Sequence, residues 1–382
     1  MKKHIPIAVY YFPNYHVDPR NEEIHGRGWT EWELVKCARS RFPGHDQPKI
    51  PLWGYEDEAD PAVMAKKIDA AADHGIDAFI FDWYWYDGPY LERCLREGFL
   101  RAPNRKRLKF ALMWANHNWK NMHPGTRRTD SYPFDFLWTT RFETVPFVWD
   151  YLIEHFFTQK NYYRVNGKPY FSIYETNSFI VRMGGPEKCK QALDLLQEKA
   201  KAAGLPGIHL AGLWYDNMDH NCASACPQAE WVTKLGFSSY TNYIYHIPVY
   251  TVPPECFPRV DYDLVFEEYY QVRKQAADTL PGPYHPVVTV GWDSSPRTVQ
   301  SEMYDRRLVY PYLPVIESTP AKFREKVAEA LRYLKKRPQE DQYLFINAWN
   351  EWTEGSYLEP DRKHGMGYLE AVRNARKQEA CL

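Results

Sequence analysis

Two glutamates three residues apart stand near the end of this chain, in Asn350-Glu351-Trp352-Thr353-Glu354-Gly355. The apolar run before them, residues 342–349, reads as a buried strand, and Trp349 and Trp352 flank the first glutamate. In an extended strand, residues three apart point to opposite faces. A turn at Asn350 brings them to one side, so Glu351 and Glu354 would both face the same mouth. Two carboxylates in one pocket oppose each other's ionisation, which separates their pKa values and gives a base and an acid at neutral pH. The competing reading makes both of them solvated loop charges at a helix start. Their place at a strand end, between two indoles, favours chemistry.

Other residues with recognition or acid–base potential fall at the ends of similar apolar runs. Tyr11 and His16 follow the first, and Glu31 lies within its long loop. Asp82, Trp83 and Tyr84 end the second, while Trp114, Asn116, Asn118 and Trp119 follow the third. Glu175 ends the fourth, Trp214 and Tyr215 follow the fifth, and Trp292 and Asp293 follow the seventh. Together with Asn350 and Trp352, these are the expected contacts to a substrate. Asp82 reads equally as an ion pair closing a rim, and Glu31 as a brace within its loop.

The elements that must position these residues alternate along the chain. Strands are expected at residues 5–12, 77–83, 108–114, 169–175, 208–214, 236–243, 286–292 and 342–349, mostly as continuous apolar runs of the kind buried on both faces. Between them, helices carry their own punctuation. Asp60-Pro61 opens one that Gly75 ends, Pro186 opens another that Gly204 ends, and Thr319-Pro320 opens a third. Long segments follow strands (13–60 and 115–140) and short turns follow helices. Eight strand–helix repeats predict a (β/α)8 TIM barrel, with residues 1–382 as a single catalytic domain and its site in the loops after the strands.

Composition narrows the class. A formal net charge of −1, with no long run of one sign, argues against a nucleic-acid partner, and no apolar stretch is long enough for membrane insertion. Aromatic residues make up 16% of the chain, including 14 Trp and 29 Tyr. Such a surplus suits a ring-lined cleft in which flat sugar faces stack, as well as a Tyr- and Trp-rich core. Seven scattered cysteines (37, 94, 189, 222, 226, 256, 381) suggest a reduced, cytoplasmic protein, and no signal-peptide pattern follows Met1. His220, Cys222 and Cys226 lack a second ligand pair, so no metal and no cofactor is expected.

The acidic segment resembles the motif of glycoside hydrolase family 99, the endo-α-mannosidases, and is still more similar to WbsX-type family 99-like proteins found among bacterial polysaccharide genes. Further stretches carry the resemblance in order: Tyr10-Tyr11-Phe12-Pro13 with His16, Gly28-Trp29-Thr30-Glu31-Trp32, Gly75-Ile76-Asp77 before Asp82-Trp83-Tyr84-Trp85, and Trp114-Ala115-Asn116 with Asn118-Trp119. Gly167-Lys168-Pro169 and Trp292-Asp293 with Pro296-Arg297 continue it.

The resemblance implies an oligosaccharide or polysaccharide substrate, mannose-type in the family named, and a retaining hydrolase. In that family the first glutamate is a base toward the sugar 2-hydroxyl, giving a 1,2-anhydro sugar. The second is the acid toward the leaving oxygen and then the base toward water. Carried over residue by residue, these roles fall on Glu351 and Glu354. A runner-up pairs Glu175 with Glu351 in ordinary double displacement. A glycosyltransferase of surface polysaccharide (O-antigen) synthesis and a non-catalytic carbohydrate-binding barrel are the competing classes. For the former, Asp261 and Asp263 form an acidic pair, but they open a helical stretch and read as its caps.

Overall fold

The computed structural model describes residues 4–120, 136–213, 234–244, 258–267, 269, 280, 282–298, 315–337 and 342–381. Its frame is a ring of eight parallel strands: β1 (Ile7–Tyr11), β2 (Ala78–Trp85), β3 (Lys109–Trp114), β4 (Lys168–Ile173), β5 (His209–Leu213), β6 (Ser239–Thr241), β7 (Val287–Thr289) and β8 (Leu344–Asn347). Neighbours pair in chain order from β1 to β6, and β8 lies between β7 and β1. The ring closes where Tyr240 of β6 bridges Tyr284 just ahead of β7, with the His285 N–H donating to the Tyr240 carbonyl at 2.8 Å. The expected (β/α)8 barrel is therefore the fold, with every strand in its expected place.

The helices form where their signals stand. Asp60 caps α1 (Pro61–Asp73) by accepting from the Ala62 N–H, and Thr319 caps α3 (Pro320–Lys335) in the same way through Lys322. The helix α2 (Pro186–Ala202) turns Leu193, Leu196 and Ala200 inward. Met64, Ile68 and Ala71 of α1 are fully buried against the sheet. Burying a side chain such as Ile68 contributes about 1.5–3 kcal/mol.

Period-two alternation sorts the strand residues into two layers. Tyr10 faces the barrel interior, where its ring lies 4.8 Å from Tyr243 and 5.5 Å from Phe345. Tyr11 faces outward to α1, its hydroxyl 3.5 Å from the Met64 sulfur. Lower in the interior, Tyr343 hydrogen-bonds Ser239 and His209, and burial pulls the His209 pKa down to about 4, so this floor is uncharged at neutral pH.

Much of the aromatic surplus is packing. Trp83 stacks near Tyr151 and donates to Glu92, and Trp114 packs against Trp149, Phe142 and Phe179 in the layer between strands and helices. Among the described residues, no helix is long and apolar enough to cross a membrane.

Candidate active site

The segment after β8 is a tight hairpin. Asn350–Glu351 pairs antiparallel with Ser356–Tyr357, and Trp352–Glu354 makes one 3-10 turn between them. Gly355 closes the turn at φ +64°, and a Cβ there would meet Asp293 at 2.9 Å, so the position demands glycine on two counts. Asn350 ties the hairpin to the end of β1, accepting from the Phe12 N–H at 2.8 Å and donating to the Phe12 carbonyl at 2.7 Å. This turn swings Glu351 and Glu354 to the same partner.

That partner is Arg297, four residues past Asp293 in the segment after β7. Its Nη1 donates to Glu354 Oε1, and its Nη2 reaches Glu351 Oε2 at 3.3 Å. Nε and Nη2 both meet Glu31 Oε1, at 3.0 and 2.9 Å, and the Thr353 hydroxyl donates to the same oxygen. Asn14 holds the other Glu31 oxygen at 2.6 Å. Glu31 is thus a brace on the guanidinium, built into the first loop. On the opposite side, the Tyr243 hydroxyl lies 2.9 Å from Glu351 Oε1 and 2.8 Å from Asp82 Oδ2.

Every member of this cluster is buried; three carboxylates meet one guanidinium, and Asp82 joins them through Tyr243. Burial and then the Glu354 charge push the Glu351 pKa well above the usual carboxylate range, with Arg297 pulling the other way. Burial also raises Asp82, where the Tyr243 hydrogen bond opposes it.

A second ion cluster lies behind the hairpin. Lys67 of α1 places its ammonium 2.5 Å from both Glu58 and Glu359. Glu359 accepts from the indoles of Trp349 (2.9 Å) and Trp352 (2.7 Å), while Glu58 accepts from Asn350 at 2.9 Å. Trp349, Asn350 and Trp352 are therefore all held through carboxylates that share one ammonium. Asp293 is held separately, by His45 (2.9 Å) and Gln47 (2.6 Å), and its backbone N–H donates to the Glu354 carbonyl.

Of the expected contact residues, the structure brings Glu31, Asp82, Glu351 and Glu354 together at the mouth. Tyr84 and Trp119 stand beside them with their rings 5.2 Å apart. Asn116 clamps the backbone of Glu175, accepting from its N–H at 2.8 Å and donating to its carbonyl at 3.1 Å. Asn118 accepts from Thr140 and Arg182. The charge on Glu175 is felt at Tyr86. Trp352 stacks on Tyr357 at 3.8 Å, and Trp292 is buried in the main core.

His16 is buried and held neutral, its pKa pulled down to about 3 by burial and by Arg93. Tyr11, Trp83 and Trp114 lie in the outer layer rather than at the mouth. Trp214 and Tyr215, together with His220, Cys222 and Cys226, lie outside the described residues. Sequence reasoning did not mark Arg297, Tyr243, Asn14, His45, Gln47 or Thr353 as site residues. The signal available for Arg297 was its place in the stretch Trp292-Asp293 with Pro296-Arg297 that carries the family resemblance.

A barrel with buried carboxylates converging on one arginine at its C-terminal mouth defines the class. Residues 7–372 match the family described as Glycosyltransferase WbsX, and the chain belongs to that family. It is 27% identical to the uncharacterized protein WxcX of Xanthomonas campestris pv. campestris (strain B100) over 97% of its length, and spans about half (49%) of that relative. Two solved structures share the fold. One is the GH99 endo-alpha-mannosidase from Bacteroides thetaiotaomicron, with a TM-score of 0.55, 14% identity, and 98% and 97% of the two chains covered. The other is described as a glycoside hydrolase-like protein, with a TM-score of 0.58, 13% identity and 98% and 94% coverage.

Proposed function

We propose that the chain is a carbohydrate-active enzyme that cleaves a glycosidic bond by a retaining mechanism, with Glu351 and Glu354 as its catalytic pair. The observation that carries this reading is their convergence on Arg297 at the barrel mouth. Glu351 is the base. A raised pKa makes a carboxylate a stronger base so long as it stays ionised, and Arg297 and Tyr243 both favour the ionised form. Such a base suits abstraction of a sugar 2-hydroxyl proton, with the 2-oxygen then attacking the anomeric carbon. Glu354 protonates the departing oxygen, then takes a proton from the water that opens the anhydro sugar, while Glu351 returns its proton to the 2-oxygen as the C1–O2 bond breaks.

One observation favours a second reading. Arg297 donates to Glu354, whereas Glu351 is the member with the raised pKa. Glu354 can act as the acid only if substrate binding leaves Arg297 to Glu31 and lets Glu354 take up a proton. Otherwise the roles exchange.

Leaving groups separate the readings. With Glu354 as acid, Glu354→Gln loses about 10²–10⁴ in kcat on substrates with poor leaving groups and far less on activated aryl glycosides. Glu351→Gln is crippled on both. The opposite pattern assigns exchanged roles, and rescue seen only in Glu175→Gln assigns the acid to Glu175. Near-wild-type turnover in both Glu351→Gln and Glu354→Gln contradicts the pair altogether.

The mannose-type substrate rests on the structural likeness to the endo-alpha-mannosidase from Bacteroides thetaiotaomicron. The family description names a glycosyltransferase instead. A nucleotide-sugar site needs a holder for a diphosphate, and the acidic pair Asp261 and Asp263 is already engaged by Lys322 at 3.0 and 2.9 Å.

A further inference from the structure

The Tyr243 hydroxyl has one proton and two carboxylate neighbours, at 2.8 Å (Asp82) and 2.9 Å (Glu351). It can donate fully to one of them. If both were ionised, the phenol oxygen would face the other anion lone pair to lone pair in a site shielded from water. One of the two carboxyl groups therefore carries a proton that it donates to the phenol oxygen.

The surroundings decide which. Glu351 is touched by the Arg297 guanidinium. Asp82 meets no cation in the described ion pairs, and its Oδ1 is buried without a hydrogen-bond partner among the described residues. Facing Asp82 are Tyr243 from beyond β6, Glu354 from the hairpin and, farther away, Arg297; Tyr10 of β1, Tyr84 of its own strand and Glu351 feel its charge. Carboxylates outnumber the guanidinium, so removing the Asp82 charge relieves the cluster most.

Resting on the reading of Glu351 as the base, we propose that Asp82 is a neutral acid in the resting enzyme, donating to the Tyr243 oxygen so that the Tyr243 proton is committed to Glu351. Asp82 is thus a positioning residue acting through Tyr243. Ionising Asp82 would reverse the chain, draw the Tyr243 proton away from Glu351 and add a second negative charge beside it. Activity then falls on the alkaline side for a reason that lies in Asp82.

Infrared difference spectroscopy of the full chain tests this without a substrate. Wild type minus Asp82→Asn at neutral pH should show a protonated-carboxyl C=O band, and wild type minus Glu351→Gln should not. A band lost in Glu351→Gln and kept in Asp82→Asn overturns the proposal. Failure of the hydrolase reading leaves this spectrum unchanged, so the two fail separately.

On a cleaved substrate, Asp82→Asn, whose amide still donates to the phenol, should lose less kcat than Asp82→Leu and should lose the alkaline limb of the pH profile. An unchanged alkaline limb in Asp82→Asn contradicts the assignment. Melting curves confirm that each variant is folded. If Asp82→Leu does not fold, Tyr243→Phe takes its place and should flatten the same limb.

Discussion

Arg297 donates to three carboxylates at once, and lysine cannot copy that geometry. A guanidinium offers five N–H donors in a plane, whereas an ammonium is a compact point charge. Arg297→Lys should keep much of the stability but lose at least 10² in kcat, because Glu31, Glu351 and Glu354 can no longer share one fixed donor. Arg297→Gln leaves buried carboxylates without their cation and should cost about 3–5 kcal/mol, read by urea denaturation. Equal losses in both properties for the two variants would make Arg297 a structural clamp only. The glutamate pair was legible from spacing and strand-end position. Arg297 entered only within a stretch of family resemblance, and Tyr243 was hidden in the expected strand as part of Tyr240-Thr241-Asn242-Tyr243, since neither sits in a repeating pattern.

At the scale of elements, the hairpin is only as well placed as its support on α1. Lys67 serves two carboxylates, so one of them is in excess. Burial, with the Glu359 charge, pushes Glu58 up to about 7 against the pull of Lys67. A carboxyl raised in the folded state holds a proton that the unfolded chain has lost, so its contribution to stability falls as pH rises from about 4 through that folded value near 7. Glu58→Gln should flatten this part of the melting temperature against pH curve, and an unchanged slope would contradict it. Lys67→Met should cost about 3–5 kcal/mol by leaving buried charges unpaired. All eight strands were legible because strands buried on both faces read as continuous apolar runs. Several ends were overextended, as at residues 236–243 against Ser239–Thr241, because the chain stays apolar after it leaves the ladder for the mouth, whereas the second strand runs on past 83 to Trp85. The same apolarity misleads about faces. With Asp82 inside, alternation sends Trp83 outside, a consequence that strand-end position alone does not reveal.

For the whole molecule, the chain spans about half of its curated relatives, so the claim belongs to the barrel itself. The proposed chemistry uses carboxylates and a tyrosine, and EDTA should leave turnover intact. Loss of activity restored by one divalent cation would contradict that. The most direct test incubates the chain with mannan and O-antigen fragments and measures new reducing ends, beside turnover of a panel of nucleotide sugars. Reducing ends are expected from at least one glycan, abolished in the Glu351→Gln, Glu354→Gln double variant, with no nucleotide release. Nucleotide-sugar turnover that depends on the same two glutamates, with no reducing ends released, would contradict it.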